Sequence, residues 1–281
     1  MPLQLVLLVL FAALVHATWN AVVKASGDRL LTFAAIHAMG TVLGIGAAFF
    51  VAFPEPQVWP YLITSVVIHN FYYMFLLLSY RLGDLSEVYP IARGSSPLLV
   101  LLGAAWVAGE VPTAAGLGGV ALVSAGIISL MFSRGRPTRA GMKPIAAALA
   151  TGVLISTYTV IDGLGMRAGT SPWPYIVWLN LLEGIPFALY AVMTRPRAVP
   201  AFLAANWKPA AAGGCLTIIA YGIALYALTQ GGMGHVSALR ETSVLFAAVI
   251  GTVVLKEGFG PIRLFAAAVI ASGIIVLQMA G

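Results

Sequence analysis

The chain has 281 residues, 60% of them hydrophobic and only 9% Asp, Glu, Lys or Arg, with a mean hydropathy of +0.97. Soluble domains carry about a quarter of their residues as charges, so a water-soluble globule is excluded; 6 Trp, 10 Tyr and 13 Phe exclude disorder. The net charge of +6 is scattered through short gaps rather than gathered in a stripe or tail, which argues against nucleic acid as a partner, and Cys215, the one cysteine, excludes an internal disulfide and a cysteine metal cage.

A helix that crosses a bilayer needs about 20 mostly apolar residues. Ten such runs follow one another: residues 3–24, 30–53, 59–80, 85–108, 112–132, 144–165, 172–193, 208–229, 234–255 and 261–280. The first contains Val15-His16-Ala17, which looks like a leader-peptide cleavage site, but no basic segment precedes it, so it is read as a helix. The longest gaps, 133–143 and 194–207, are too short for a soluble domain. The expected fold is therefore an all-α membrane protein with ten transmembrane helices.

Lys and Arg divide unequally between alternate gaps. Lys24, Arg29, Arg81, Arg134, Arg136, Arg139, Lys143, Arg195, Arg197, Lys208, Lys256 and Arg263 fall on one face, and Arg167 falls on the other. The positive-inside rule makes the richer face cytoplasmic, which puts both termini outside a multi-pass protein of the cytoplasmic (inner) membrane.

A shift of 147 residues lays the fourth and fifth spans on the ninth and tenth without a gap. Arg93 falls on Arg240, Ser96 on Ser243, Leu98 on Leu245, Glu110 on Glu257, Leu117 on Leu264, and Gly126-Ile127-Ile128 on Gly273-Ile274-Ile275. A looser shift of 139 puts Trp19 on Tyr158. A five-helix unit is used twice, at 1–132 and 144–281, joined by a basic cytoplasmic linker at 133–143. Because five is odd, the copies must cross in opposite senses, as in carriers built from inverted repeats. The charges agree: Lys256 and Arg263 replace Gly109 and Gly116, while Leu228 replaces Arg81.

With Gly109-Glu110 and Leu255-Lys256-Glu257 closing corresponding helices, and the small-residue runs 119–126 and 267–273 following them, the chain resembles the EamA-type transporters of the drug/metabolite transporter superfamily. The resemblance covers the whole chain, and its motifs are structural. It implies a small-molecule carrier, often an exporter, with a central cavity between the halves. It also implies cytoplasmic termini, against which the charge count stands.

An ionisable group at mid-membrane is costly, so those that remain there are candidates for function. Glu183 is central in the seventh span, on one face with Asn180, Phe187 and Tyr190; a buried carboxylate there suits a substrate amine or a proton. Arg93 and Arg240 are repeat-related; Arg93 shares a face with Ser86, Tyr89, Ser96 and Pro97, and Arg240 with Ser237 and Ser243. Pro90 and Pro97 cannot donate backbone hydrogen bonds, so the fourth helix is expected to kink or open near Arg93. A guanidinium there suits a carboxylate, phosphate or phosphonate. Glu241 is a candidate for an amine or coupling ion, or for an interhelical ion pair. On the first helix His16, Trp19, Asn20 and Val23 share a face, with His16 a possible proton carrier and Trp19 a stacking surface. His69, Tyr72, Tyr73 and Tyr80 line the third helix. Lys24, Glu87, Asp162 and Arg167 lie near span ends and are expected to be solvated, and Gly40-x-x-x-Gly44 reads as close helix packing.

No hydrolase, P-loop, zincin or dinucleotide motif is present, so no enzyme, ATP-driven pump, cofactor or metal is expected. The reading is a secondary carrier, an exporter, for small polar or zwitterionic metabolites, working by alternating access as a monomer or homodimer. Arg93 or Arg240 would hold the anionic end, with Ser96, Ser243 and Asn20 nearby. Glu183 or Glu241 would hold the amine, and Trp19, Tyr72, Tyr73, Tyr89 and Tyr158 would form the walls. Glu183, Glu241 and His16 would exchange the coupling proton. The rivals are a flippase for an anionic-headgroup lipid and an exporter of lipophilic cations.

Overall fold

A computed structural model describes residues 1–25, 28–83, 85–132, 142–255 and 260–279, without the side chains of 21–25, 85–87, 248 and 251–255. Arg134, Arg136, Arg139 and the rest of the expected linker up to 141, together with Lys256 and Glu257 and the side chains of Lys24, Ser86 and Glu87, lie outside that description. The described residues contain no strand. The helices are α1 (Leu3–Ala25), α2 (Arg29–Ala48), α3 (Trp59–Leu82), α4 (Leu85–Val107), α5 (Ala114–Ser129), α6 (Met142–Ala168), α7 (Pro172–Thr194), α8 (Ala198–Gln230), α9 (Met233–Arg240), α10 (Ser243–Leu255) and α11 (Pro261–Met279). Among the described residues nine are long and apolar enough to cross a membrane. The protein is an all-α membrane protein, as lipid requires of a backbone that must satisfy its own hydrogen bonds. Phe49, Phe50, Trp106, Met193 and Phe265 project from the outer surface, where hydrocarbon is the solvent.

Three boundaries differ from the sequence reading. The ninth span is broken: α9 stops at Arg240, and Glu241 and Thr242 make a tight turn before α10, with the Thr242 hydroxyl donating to the Leu239 carbonyl at 2.7 Å. The fourth span, where the prolines led us to expect an opening, runs as one helix through Pro90 and Pro97. Pro97 leaves the Arg93 carbonyl without its helical donor, and the Ser96 hydroxyl takes that place at 3.2 Å. The gap before the eighth span is helical from Ala198, bending at Asn206, whose φ of −125° and ψ of 16° are not helical.

Helix contacts come in pairs that exchange when the first five crossings are swapped for the last five. α1 packs on α8 as α6 packs on α3; α4 meets α6 as α9 and α10 meet α1; α2 meets α7, and α5 meets α11. The α5–α11 crossing repeats within itself. A Cβ on Gly119 would lie 3.0 Å from the Gly273 carbonyl oxygen, and one on Gly126 would lie 3.2 Å from that of Ala266. Under the 147-residue shift, Gly119 corresponds to Ala266 and Gly126 to Gly273, so each contact is the image of the other.

The two ends of the bundle are tied differently. At one end Arg195 contacts Asp28, the N-cap of α2, and Arg29 lies over the Tyr80 ring at 5.7 Å. At the other, α4 ends in a left-handed Gly109 (φ 69°), which lets the Glu110 N–H reach back to the Ala104 carbonyl at 3.2 Å. The Glu110 carboxylate then accepts from the Met233 N–H at 2.8 Å, capping the positive end of α9, and pairs with Arg167 at 2.6 Å. Arg167 also donates to the carbonyls of Leu228 and Gly231 at the end of α8, above a cavity of about 400 Å³.

Candidate functional site: two buried polar clusters

The first cluster forms where α1, α4, α6, α9 and the break before α10 meet. Arg93 is 3% exposed and its guanidinium donates to Glu241 Oε1 at 3.1 Å, to the Tyr89 hydroxyl at 3.3 Å and to His16 Nε2. The other ring nitrogen of His16 accepts from Trp19 Nε1 at 3.2 Å. Both nitrogens of His16 thus face donors, and a proton added here would stand against the guanidinium. Asn20 is turned onto its own helix, donating to the His16 carbonyl at 2.8 Å. Arg240, the repeat partner of Arg93, donates to the Tyr158 hydroxyl at 3.2 Å and lies over the Tyr221 ring at 5.3 Å.

Glu241 therefore pairs across 148 residues with Arg93, and no carboxylate among the described residues lies within ion-pair distance of Arg240. Adjacent residues on a helix point about 100° apart, and Glu241, at the end of α9, faces Arg93 instead of its neighbour. Glu241 Oε2 and the Ser243 hydroxyl are buried without hydrogen-bond partners among the described residues. Ser96, expected beside the substrate, instead spends its hydroxyl on the backbone.

The second cluster is built on α2, α3, α6, α7 and α8. Glu183 is 4% exposed; its Oε1 accepts from the Tyr73 hydroxyl at 3.1 Å and faces His37 Nδ1 at 3.3 Å, while its Oε2 faces His69 Nε2 at 3.9 Å. Glycine at 184 permits this approach, since a methyl there would collide with the His37 carbonyl and the Thr41 hydroxyl. Asn70 braces the turn by donating to the Glu183 carbonyl at 3.2 Å. Asn180 and Phe187 are buried on the same side of α7, whereas Tyr190 is 46% exposed and faces away.

Asp162 corrects the sequence reading. Expected in solvent, it is fully buried, accepting from the Tyr175 hydroxyl at 2.7 Å and from the Tyr221 hydroxyl, with Ser65 also against it. Its span runs on past the expected end at 165 to Ala168, which draws Asp162 one turn deeper. His37, Ser65, Tyr175 and Tyr221 were not candidates either; the tyrosines sit on different helices, so no spacing marks them. Arg167 keeps part of the expected exposure, its side chain 34% exposed.

Aromatic rings join the clusters. Tyr158 stacks on His69 with centroids 3.9 Å apart, and Tyr72 lies against both Tyr158 and Tyr73 at 5.5 and 5.1 Å. Trp19 packs edge-on against Phe33. The described residues hold no group of three acidic, histidine or cysteine side chains suited to a metal ion.

Residues 142–279 match the EamA-like transporter family. One solved structure, titled only as a crystal structure of a protein, is similar over 99% of this chain and 98% of its own, with a TM-score of 0.80 at 21% identity, a likeness of fold. No curated protein matches the sequence.

Proposed function

We propose that this multi-pass membrane protein, whose residues 142–279 match the EamA-like transporter family, is a secondary carrier for small anionic or zwitterionic metabolites. The observation that carries this reading is charge. Among the described residues the first cluster holds two guanidiniums and one carboxylate; that carboxylate is in ion-pair contact with Arg93, while the groups in contact with Arg240 are a phenol and an aromatic face. A buried cation without a counter-charge is costly in a low-dielectric interior. A carboxylate, phosphate or phosphonate supplies that charge and meets the planar guanidinium with two parallel hydrogen bonds. The free Oε2 of Glu241 is placed to accept from a substrate amine, and Trp19, Tyr72, Tyr89 and Tyr158 wall the space between them.

Transport follows by alternating access, with halves at 1–132 and 144–281 rocking about the clusters; the exchanging helix contacts support that division. The end carrying Arg29, Arg195 and Arg197 faces the cytoplasm of the inner membrane, and both termini lie outside. The direction of net transport is outward. Of the three residues expected to exchange protons, Glu183 and Glu241 each retain an unpartnered carboxylate oxygen, whereas His16 is engaged by Arg93.

The test is exchange in proteoliposomes, using radiolabelled phosphate, phosphoethanolamine and glycine as probes. Exchange of an anionic or zwitterionic probe that Arg240→Ala abolishes supports the carrier. Exchange confined to lipophilic cations contradicts it.

A further inference from the structure

The hydrogen-bond pattern in the second cluster fixes where a proton can sit. His69 Nδ1 is 3.1 Å from the Ser65 hydroxyl oxygen and 3.0 Å from the Ser65 carbonyl, which can only accept. Nδ1 must then carry the imidazole proton, leaving Nε2 of the neutral ring as an acceptor. Nε2 faces Glu183 Oε2, itself buried and without a hydrogen-bond partner. Two acceptors look at each other across 3.9 Å.

We propose that His69 and Glu183 together bind one exchangeable proton, held between Nε2 and Oε2, and that this pair is the coupling-proton site of the carrier. The proposal rests on the transport reading above and adds to it His69 as the proton's partner. Protonation turns the facing acceptors into an imidazolium and carboxylate, or an imidazole and carboxylic acid; in either form the two side chains attract and close from 3.9 Å to hydrogen-bond distance. No bond other than that to the proton is made or broken.

Every element around the pair contributes to its setting. Asp162 and Tyr158 face it from α6, Tyr175 reaches Asp162 from α7, and Tyr221 comes from α8. His37 faces it from α2, and Tyr73 lies on the same helix as His69. The Tyr158 and Tyr221 rings that lie against His69 are also the ones that the Arg240 guanidinium contacts. An anion arriving at Arg240 competes with the Tyr158 hydroxyl and so displaces the ring stacked on His69. Substrate and proton sites are thereby linked through one side chain.

The test needs no substrate. Infrared difference spectra of the detergent-purified full chain, stepped between about pH 5 and pH 8, should show one carboxyl band and one imidazole band changing with the same midpoint. Both should vanish in Glu183→Gln, and the imidazole band should vanish in His69→Gln. If either variant does not fold, ¹⁵N-histidine spectra of the unaltered protein carry the test: one ring keeps its Nδ1 proton throughout and gains one on Nε2 at the midpoint of the carboxyl band. No joint titration in this range, or one that survives in Glu183→Gln, overturns the proposal. Either result leaves anion binding at Arg240 to be decided separately by exchange in Arg240→Ala.

Discussion

The two buried clusters use a carboxylate in opposite ways. In the first, Glu241 is matched by a permanently charged guanidinium, and a second guanidinium is left over. In the second, Glu183 and Asp162 are met by phenols, a hydroxyl and imidazoles, none of them permanently charged. The first cluster therefore lacks an anion, and the second can adjust its charge by taking up a proton. A carboxylate buried in either cluster acquires its chemistry from what the neighbouring helices place against it.

The comparison is broken most sharply by removing single partners. Arg93→Ala leaves Glu241 as a buried unpaired charge and should cost about 3–5 kcal/mol, read as a lowered unfolding midpoint in detergent. Replacing both members, as Arg93→Met with Glu241→Leu, should restore much of that stability while leaving transport absent. Arg240→Ala should abolish exchange but lower stability far less, because no buried anion depends on it. A large stability loss in Arg240→Ala would mean that its partners are structural.

Gly184→Ala attacks the second cluster through its backbone. The added methyl must push α7 away from α2, at a cost of about 1–3 kcal/mol, and should weaken proton-dependent exchange more than anion binding. Tyr175→Phe removes one donor from Asp162 and should cost about 1–3 kcal/mol, with anion binding at the first cluster unchanged. Thermal unfolding and ligand titration of the same samples separate these outcomes.

How much of this could be read from the sequence varies with the kind of interaction. The spans were legible because lipid demands apolar runs, and the shared register of Arg93 and Arg240 because a 147-residue shift aligns them without a gap. Arg93, Arg240, Glu183 and Glu241 stood out because charges are rare at those depths. Their pairings did not: helical spacing turns Glu241 away from its neighbour Arg240, but Arg93 and Glu241 are 148 residues apart and no spacing joins them. The break at Glu241 and Thr242 was hidden because it involves no proline, whereas the prolines of α4 drew attention to a helix that Ser96 keeps intact. Asp162 was misplaced because distance from a predicted span end is a poor measure of burial when three other side chains converge on it.

The smallest expected effect lies outside both clusters. Hydrogen bonds from Thr170 hold the exposed Glu55 carboxyl below its ordinary range. A depressed pKa in the folded state means that the tie between the α6–α7 and α2–α3 connections is present above the unfolded value and is lost as pH falls through the folded one. Thr170→Ala removes the hydroxyl but keeps the backbone donor, so it should reduce that acid sensitivity with little effect at neutral pH, as followed by amide exchange near Glu55.

The most direct measurement is ligand-induced stabilisation of the purified protein, with inorganic phosphate, phosphoethanolamine, amino acids and lipophilic cations compared in the unaltered chain and in Arg240→Ala. A binder at about 100 times its dissociation constant adds about 2.7 kcal/mol, a clear shift in unfolding midpoint. The account predicts that an anionic or zwitterionic compound stabilises the unaltered chain and loses that effect in Arg240→Ala. Stabilisation by cations alone, or by an anion equally in both proteins, would contradict it.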